Sequence, residues 1–224
     1  MDLGHIAYQE AWDKQMTLFK QIVDQKLQNR TMPPIATSNY LLFCEHNHVY
    51  TLGKTGRITH LLLNEQTMKE QGIEFFHINR GGDITYHGPG QLTGYPILDL
   101  DNFKADIHAF MRTMEEAIIN LLSRFGIKGE RIDGLTGVWI DAQNPRLARK
   151  ICAMGVHTSR WVTMHGFGLN INTDLSYFDR IVPCGIADKG VTSIEKEIGE
   201  KADMELVKSW AKDEFAQAFG FEWA

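Results

Sequence analysis

Apolar side chains recur every three or four positions in three stretches of the chain, which is the spacing of helices that bury one face. These stretches cover residues 8–29, residues 105–125 and the tail from Met204 to Phe219. Pro33 and Pro34 follow the first stretch and Gly126 follows the second, as expected for residues that end helices. The pattern therefore predicts three amphipathic helices, one near each end of the chain and one in the middle.

Short apolar runs rich in β-branched and aromatic residues lie between these stretches and are typical of strands. They occupy residues 39–44, 48–54, 73–80, 137–140, 151–156 and 166–171. Strands alternating with a few long helices favour an α/β (α+β) fold with a largely central sheet. The chain carries no internal repeat or low-complexity linker, so residues 1–224 are predicted to form a single domain.

Composition excludes several classes of function. The 224 residues are 43% hydrophobic and 23% charged, with a formal net charge of −5, which does not favour binding to nucleic acid. Apolar runs are too short to cross a membrane. The three cysteines, Cys44, Cys152 and Cys184, are widely spaced and form no CxxC pair. A cytoplasmic protein with free thiols is the expectation, since the N-terminus resembles neither a secretory signal nor a transit peptide.

The most unusual segment is RGGDITYHGPGQ at residues 80–91, which places four glycines and a proline around polar side chains. Glycines allow a backbone to approach a ligand closely, although a wide surface turn has a similar composition. Two nucleotide-binding templates fail. Gly88, Gly90 and Gly94 are spaced one residue too far for the dinucleotide fingerprint, and His48 occupies the position where a Walker A loop needs glycine.

A thiol and a lysine provide the candidate chemistry. Cys44 lies in an apolar run and is expected to be a core residue. Cys184 instead lies between Pro183 and Gly185, where a tight turn would leave its thiol accessible. Cys152 is the rival nucleophile because Lys150 is two residues away, but side chains two apart on a strand point side by side. Cys184 is therefore the favoured nucleophile, provided that a nearby group stabilises its thiolate.

The sequence gives less support to a metal site or to a serine hydrolase. Cys44, His46 and His48 alternate and could line one strand face, but this is not a standard zinc spacing, and no metal site is predicted. The chain has no G-x-S-x-G element, so a serine hydrolase elbow is not expected.

Several motifs in one order resemble the lipoyl(octanoyl) transferase family, the octanoyl-[acyl-carrier-protein]:protein N-octanoyltransferases of lipoate biosynthesis. The resemblance covers about residues 45–194 and therefore depends on more than one segment. The matching segments are EHNHVYTLGKTG (45–56), RGGDITYHGPGQLTGYPI (80–97), ARKICAMGV (148–156), MHGFGLNINTDLSYF (164–178) and IVPCG (181–185) followed by VTS (191–193).

The resemblance implies a fold like that of biotin and lipoate protein ligases, with a mixed central sheet flanked by helices. It also implies a catalytic dyad in which Lys150 activates Cys184. It implies no cofactor beyond the phosphopantetheine carried by the substrate. Expected partners are octanoyl-acyl carrier protein, lipoyl domains of 2-oxoacid dehydrogenase E2 subunits and the glycine cleavage H protein, and Arg57, Arg146 and Arg149 are candidates to meet the acidic carrier. The implied substrate-binding residues are Arg80, Gly81, Gly82, Asp83, Ile84, Thr85, Tyr86, His87, Ala153, Met154, Gly155, Gly166, Phe167 and Gly168.

Three alternatives stay open at the level of the sequence. An ATP-dependent lipoate or biotin ligase on the same fold would not need Cys184. A related amidotransferase would move the acyl group between two lipoyl-type domains. A carrier-binding or metal-binding module would not be an enzyme at all.

Overall fold

The structure is a computed structural model that describes residues 1–182 and 189–223. The three predicted amphipathic helices are confirmed as α1 (Tyr8–Gln28), α3 (Ile107–Ser123) and α5 (Met204–Phe219). Two short helices that the apolar spacing did not predict, α2 (Glu65–Glu70) and α4 (Ile194–Ile198), lie between them. Asp106 and Asp203 cap the N-termini of α3 and α5 by accepting hydrogen bonds from backbone N–H groups of the first turn.

Eleven strands are present in the described part of the chain. In chain order they are β1 (Asp2–Ile6), β2 (Tyr40–His46), β3 (Val49–Leu52), β4 (Glu74–His77), β5 (Ile84–His87), β6 (Gln91–Ile97), β7 (Glu130–Ile132), β8 (Leu135–Ile140), β9 (Arg149–Ser159), β10 (Val162–Asn170) and β11 (Gly190–Val191). Short 3-10 turns lie at Ile58–His60, Leu100–Asn102 and Leu175–Arg180.

The main sheet is mixed, as predicted. Its strands run in the order β1, β2, β6, β10, β9, β8 and β7, with β11 added beside β9. The pairs of β1 with β2 and of β11 with β9 are parallel, and the other neighbours are antiparallel. A second sheet of three strands in the order β4, β3, β5 carries the glycine-rich segment at the start of β5.

Helices cover both faces of the main sheet because alternate residues of each strand point in opposite directions. On β2, Leu42 and Cys44 face α1, whereas Leu41 and Phe43 face the larger core under α3 and α5. This larger core includes Met114 and Ile118 of α3 and Phe215 of α5. The sequence-based fold class, a mixed central sheet flanked by helices, is therefore confirmed.

The described residues contain no helix that is long and apolar enough to span a membrane.

Close packing between β6 and β10 depends on glycine. A Cβ atom added at Gly94 would lie 2.2 Å from ring carbons of Phe167, the residue paired with it across the ladder. Phe167 is almost completely buried and stacks against Phe215, so its ring has little freedom to move. This contact fixes the position of Phe167, a residue that the sequence analysis assigned to substrate binding.

We expect Gly94→Ala to destabilise the protein by about 1–3 kcal/mol, the usual cost of overpacking a core. Gly81→Ala is the matched control, because a Cβ atom there would lie 3.6 Å from the nearest atom, the Val156 carbonyl oxygen. The control should change the free energy of unfolding by less than about 1 kcal/mol. Urea denaturation of both variants measures the difference, and equal stabilities would contradict this account of the β6–β10 pair.

Candidate active site

A cavity of about 540 Å³ opens between the glycine-rich segment and strands β9 and β10. This volume is within the range of sites for small molecules. The walls contain Lys150 and all but one of the residues that the sequence analysis assigned to substrate binding: Arg80, Gly81, Gly82, Asp83, Ile84, Thr85, His87, Ala153, Met154, Gly155, Gly166, Phe167 and Gly168.

Tyr86 is the exception and is not among the lining residues. It lies between Thr85 and His87 on β5, so its side chain points to the opposite face of the strand. There it contacts His48, whose Nδ1 is 2.7 Å from the Tyr86 hydroxyl, and stacks on Tyr177. Tyr86 therefore supports the small sheet from behind the cavity.

Backbone contacts hold the glycine-rich segment against its neighbours. Lys54 N–H donates to the Arg80 carbonyl at 3.0 Å, and Gly81 N–H donates to the Val156 carbonyl at 2.8 Å. The buried guanidinium of Arg80 donates to the Thr51 carbonyl at 2.7 Å and to the Gly81 carbonyl at 3.0 Å. These bonds keep the segment at a fixed distance from β9 and so define the width of the cavity.

Glycines shape the cavity for a reason different from the one the sequence suggested. The sequence suggested that glycines let the backbone approach a ligand closely. However, a Cβ atom at Gly155 would lie 2.7 Å from the Gly81 carbonyl oxygen, and one at Gly166 would lie 2.1 Å from the Gly94 carbonyl oxygen. These glycines are required because another backbone approaches them closely. The apolar walls come instead from larger side chains, including Met111, Met154, Phe167 and Phe178.

Lys150 lies at the point where three strands meet. β9 pairs with β8 on one side and with β11 on the other, and Trp139 of β8 lies directly across from Lys150. The Lys150 Nζ atom is 4.5 Å from the centroid of the buried Trp139 ring. An aromatic face attracts a cation, so this contact orients the Lys150 side chain.

Cys184 lies outside the described residues, and the described residues on either side of it are well anchored. Before it, Val182 N–H donates to the His60 carbonyl at 2.8 Å, and Ile181 bridges to Leu61. After it, Val191 pairs with Lys150, and Thr192 N–H donates to the Lys150 carbonyl at 2.9 Å. The chain on one side of Cys184 is thus bonded to His60, and the chain on the other side is bonded to Lys150.

Cys44 and Cys152 are poor candidates for a nucleophile. Both are fully buried free thiols. Burial raises the pKa of each thiol well above its ordinary value, because the thiolate would lose its hydration. Cys152 also belongs to the core under α3. Its nearness to Lys150 in sequence therefore does not make it reactive.

Two buried histidines line the cavity, and both are neutral. His87 Nδ1–H donates to the Gln91 amide oxygen at 2.6 Å, and His165 Nε2–H donates to the Asn79 amide oxygen at 2.8 Å. Burial, reinforced by the charge of Arg80, lowers the pKa of each imidazole to about 3. His165 also has a φ of 63°, which is unusual for a residue with a side chain and marks local backbone strain.

A chain of amide side chains connects His87 to the strand beside Lys150. The Gln91 amide nitrogen donates to Asn170 at 2.9 Å, and the Asn170 amide nitrogen donates to the Thr192 carbonyl at 2.9 Å. Both amides are buried, so each bond is costly to break. This network fixes the end of the glycine-rich segment relative to β11.

The metal alternative finds no support in the geometry. His46 Nδ1–H donates to the Ile6 carbonyl and its Nε2 accepts from the Tyr95 hydroxyl, so both ring nitrogens are engaged. His48 points instead toward Tyr86 and Tyr177. Within residues 1–182 and 189–223, no three His, Cys, Asp or Glu side chains form a group that could hold a metal ion.

Sequence reasoning missed Trp139, Gln91, Asn170 and His60. Trp139 was part of a predicted strand, but its place opposite Lys150 depends on the register between β8 and β9, which includes a bulge. Gln91 and Asn170 are 79 positions apart in the chain. No local signal could have paired them.

A largely apolar cavity beside a mixed sheet, with an oriented lysine in its wall, is suited to an enzyme that acts on an acyl-type ligand. The sequence matches the lipoyl protein ligase A/B catalytic domain over residues 7–216. The chain therefore belongs to this family. The resemblance stated from the motifs is confirmed at this level.

Curated relatives narrow the comparison. A protein named Octanoyltransferase from Cytophaga hutchinsonii is 58% identical over 93% of this chain and 87% of its own length. Another with the same name, from Flavobacterium johnsoniae, is also 58% identical, over 93% of this chain and 90% of its own length.

Solved structures confirm the fold. The bi-partite lipoate protein ligase of Thermoplasma acidophilum has a TM-score of 0.71 at 18% identity, covering 99% of this chain and 84% of its own. Lipoate-protein ligase A bound with ATP has a TM-score of 0.69 at 18% identity, covering 98% of this chain and 85% of its own. The expected lipoate-ligase-like architecture is therefore correct.

The buried histidines predict how stability depends on pH. Burial lowers the pKa of His46 to about 4, and the pKa values of His87 and His165 are about 3. The unfolded chain therefore binds protons below about pH 6.5 that the folded chain does not, and stability must fall as the pH falls. Each histidine can contribute up to about 1.4 kcal/mol per pH unit below that value.

We expect the free energy of unfolding, measured with urea, to be about 4 kcal/mol lower at pH 5.5 than at pH 7.5, about 1.4 kcal/mol for each of the three histidines. His46→Gln should show a shallower dependence over the same range, because glutamine does not titrate. A pH-independent free energy of unfolding between pH 7.5 and 5.5 would show that these imidazoles are not held neutral.

Proposed function

We propose that this protein is an octanoyltransferase that moves a medium-chain acyl group from acyl carrier protein to a lysine of lipoyl domains, through a thioester on Cys184. The observation that carries the proposal is the apolar cavity with Lys150 in its wall. Membership of the lipoyl protein ligase family and the octanoyltransferase relatives support the same activity.

The acyl chain is bound by the apolar walls. Burial of six methylene groups would contribute about 5 kcal/mol, at roughly 0.8 kcal/mol for each CH₂. Neutral His87 and His165 are compatible with an uncharged ligand, because neither ring carries a charge that the ligand would have to compensate. The apolar part of the cavity wall therefore suits a hydrocarbon acyl chain.

Lys150 acts first on the nucleophile. Its ammonium, oriented by Trp139, stabilises the thiolate of Cys184, which attacks the carbonyl carbon of the carrier thioester. The phosphopantetheine thiol leaves and the acyl group becomes a new thioester on Cys184. The anchoring of Val191 and Thr192 to Lys150 supports this pairing, because both residues follow Cys184 closely in the chain.

Transfer to the acceptor lysine completes the reaction. Amide formation from a thioester is downhill, so the cycle needs neither ATP nor a resident cofactor. This agrees with a glycine-rich segment whose spacing fits neither nucleotide template. The developing oxyanion needs hydrogen-bond donors, and backbone N–H groups of glycines in the cavity wall are suitable ones.

Lipoyl domains are the acceptors expected from the family. These include the lipoyl domains of 2-oxoacid dehydrogenase E2 subunits and the glycine cleavage H protein. The structural analysis of the Thermoplasma acidophilum lipoate protein ligase also covered its E2 lipoyl domain. A cytoplasmic location accords with the two described free thiols.

Octanoyl-acyl carrier protein is the proposed donor, and basic side chains near the site would meet its acidic surface. Arg57 and Arg146 are exposed and suited to this role. Arg149 is less suited, because it makes a two-pronged ion pair with Glu197 at 2.6 and 2.7 Å and also contacts Asp141. Of the three arginines named from the sequence, Arg57 and Arg146 therefore remain.

Intact-mass spectrometry after mixing with octanoyl-acyl carrier protein tests the thioester. We expect one octanoyl adduct on the wild type and none on Cys184→Ala. Lys150→Ala should slow adduct formation about 100-fold, the usual contribution of a group that activates a nucleophile. Cys152→Ala is the matched control and should form the adduct at the wild-type rate, because Cys152 is sealed in the core.

An adduct that survives Cys184→Ala but disappears in Cys152→Ala would overturn the choice of nucleophile. Acceptor modification that requires free octanoate and ATP, with octanoyl-acyl carrier protein inactive, would instead identify a ligase. A protein that accepts the acyl group only from another lipoyl domain would identify the amidotransferase.

A further inference from the structure

The cavity ends among polar side chains on the side away from Lys150. Lys150 lies near the start of β9, and Val156 lies six residues further along the same strand, directly across from His165 of β10. At roughly 3.3 Å per residue, the two positions on β9 are about 20 Å apart. The other polar rings that line the cavity with His165 are Tyr8, His87 and Tyr95. We call these four residues the inner end of the cavity.

Ring contacts bring the inner end together from separate parts of the chain. Tyr8 of α1 stacks on His87 of β5, with 6.2 Å between the ring centroids. Trp12, one turn further along α1, lies 6.3 Å from Tyr8 and 6.4 Å from His165. The helix therefore packs one face against both β5 and β10 at this point.

Two polar groups of the inner end have no partner among the residues that the structure describes. His165 donates from Nε2–H to Asn79, which leaves Nδ1 as an acceptor, and this buried nitrogen makes no hydrogen bond. The Tyr8 hydroxyl makes none either, whereas the Tyr95 hydroxyl donates to His46 at 2.7 Å. His165 is 2% exposed and Tyr8 is 1% exposed. Buried polar groups normally find a partner, so two unpartnered groups in the wall of one cavity indicate a polar ligand atom.

The position of the His165 ring is fixed by contacts with two other segments. Its backbone N–H donates to the Gln15 amide oxygen at 3.1 Å, and its ring donates to the Asn79 amide oxygen at 2.8 Å. The φ of 63° at His165 is a costly conformation, which these two bonds hold in place. Strained residues held in this way are concentrated at binding and active sites.

The two unpartnered groups suit an uncharged ligand atom. Burial lowers the pKa of His165 to about 3 and raises the pKa of Tyr8, so both groups are neutral at pH 7. A phenol can donate one hydrogen bond and a bare imidazole nitrogen can accept one, which matches the two capacities of a hydroxyl group. A carboxylate is the competing ligand, because the guanidinium of Arg80 belongs to the same cavity wall.

We propose that the inner end of the cavity is a hydrogen-bonding subsite for an acyl chain that carries a hydroxyl group at its tail. This rests on the proposed function, in which the cavity holds an acyl chain. The tail hydroxyl donates to His165 Nδ1 and accepts from the Tyr8 hydroxyl. The methylene groups of the chain lie along the apolar part of the wall. The protein therefore binds an ω-hydroxy acyl chain of matching length more tightly than the plain chain.

Isothermal titration calorimetry with free acids tests the subsite without any chemical step. The ligands are 8-hydroxyoctanoate, 10-hydroxydecanoate and 12-hydroxydodecanoate, each compared with the plain acid of the same length. At the length that reaches the inner end, we expect wild type to bind the hydroxy acid about tenfold more tightly, a usual gain from added hydrogen bonds. At a length that leaves the hydroxyl group against the apolar wall, the hydroxy acid should bind more weakly than the plain acid.

Tyr8→Phe removes the hydroxyl group and keeps the ring. It should abolish the tenfold preference and change the affinity for the plain acid by less than about threefold. His165→Asn should also abolish the preference, because asparagine tolerates a positive φ but is too short to replace Nδ1. Tyr50→Phe is the matched control. The buried Tyr50 hydroxyl donates to the Tyr177 carbonyl at 2.7 Å outside the cavity wall, so this variant should keep the wild-type preference.

Three results would overturn the subsite while leaving the proposed function intact. The first is normal binding of plain acids with no gain from a hydroxyl group at any length, as expected if the inner end holds only water. The second is tighter binding of the α,ω-dicarboxylic acid than of the hydroxy acid, which would identify a subsite for an anion. The third is a preference that survives in both Tyr8→Phe and His165→Asn.

Failure of every acid to bind would contradict an acyl cavity, and would overturn the proposed function and the subsite together. Formation of the octanoyl adduct, measured by intact mass, tests the proposed function separately.

Discussion

Strand β9 is the constraint on which the rest of the site depends. It is bonded on one side to β8, and on the other to β10 and β11, so it cannot shift without breaking three ladders. Lys150 and the cavity residues Ala153, Met154 and Gly155 all belong to this strand. Its register places Lys150 opposite Trp139. Its backbone carbonyl groups accept hydrogen bonds from the N–H groups of Gly81 and Thr192. The distance between the lysine and the acyl cavity is therefore a property of sheet geometry rather than of flexible side chains.

Charge is distributed unevenly around this frame. Imidazoles inside the domain are kept neutral by burial, while the positive charges of Arg80 and Lys150 are each held by specific contacts. The interior can therefore hold a hydrocarbon chain, and the charged Lys150 lies beside Val191 and Thr192, which follow Cys184 in the chain. The network from His87 through Gln91 and Asn170 to Thr192 then connects the two regions mechanically. Such a network is stable only because each of its buried polar groups finds a partner.

Much of this was predictable from the sequence. The three long helices follow from apolar spacing, and the cavity-lining segments follow from ordered motifs around Arg80, Ala153 and Gly166. What the sequence could not supply was long-range register. The contact between Trp139 and Lys150 depends on a bulge between β8 and β9. The contact between His60 and Asp83 joins the turn at Ile58–His60 to the loop before β5. Tyr86 shows the same limit, since a motif assigns it to binding while strand alternation turns it away. The role of Cys184 and the extent of the single domain stay predictions.

The cavity glycines have a consequence for how substrate preference can change. Gly155 and Gly166 are needed where two backbones touch, so replacing them would damage folding before it altered selectivity. Met111 and Met154 also form part of the wall, and the flexible side chain of methionine adapts its shape easily. The positions that folding requires therefore differ from those that shape the wall of the cavity. Substitutions of Met111 or Met154 can change the length of acyl chain that fits while the backbone contacts at Gly155 and Gly166 stay intact.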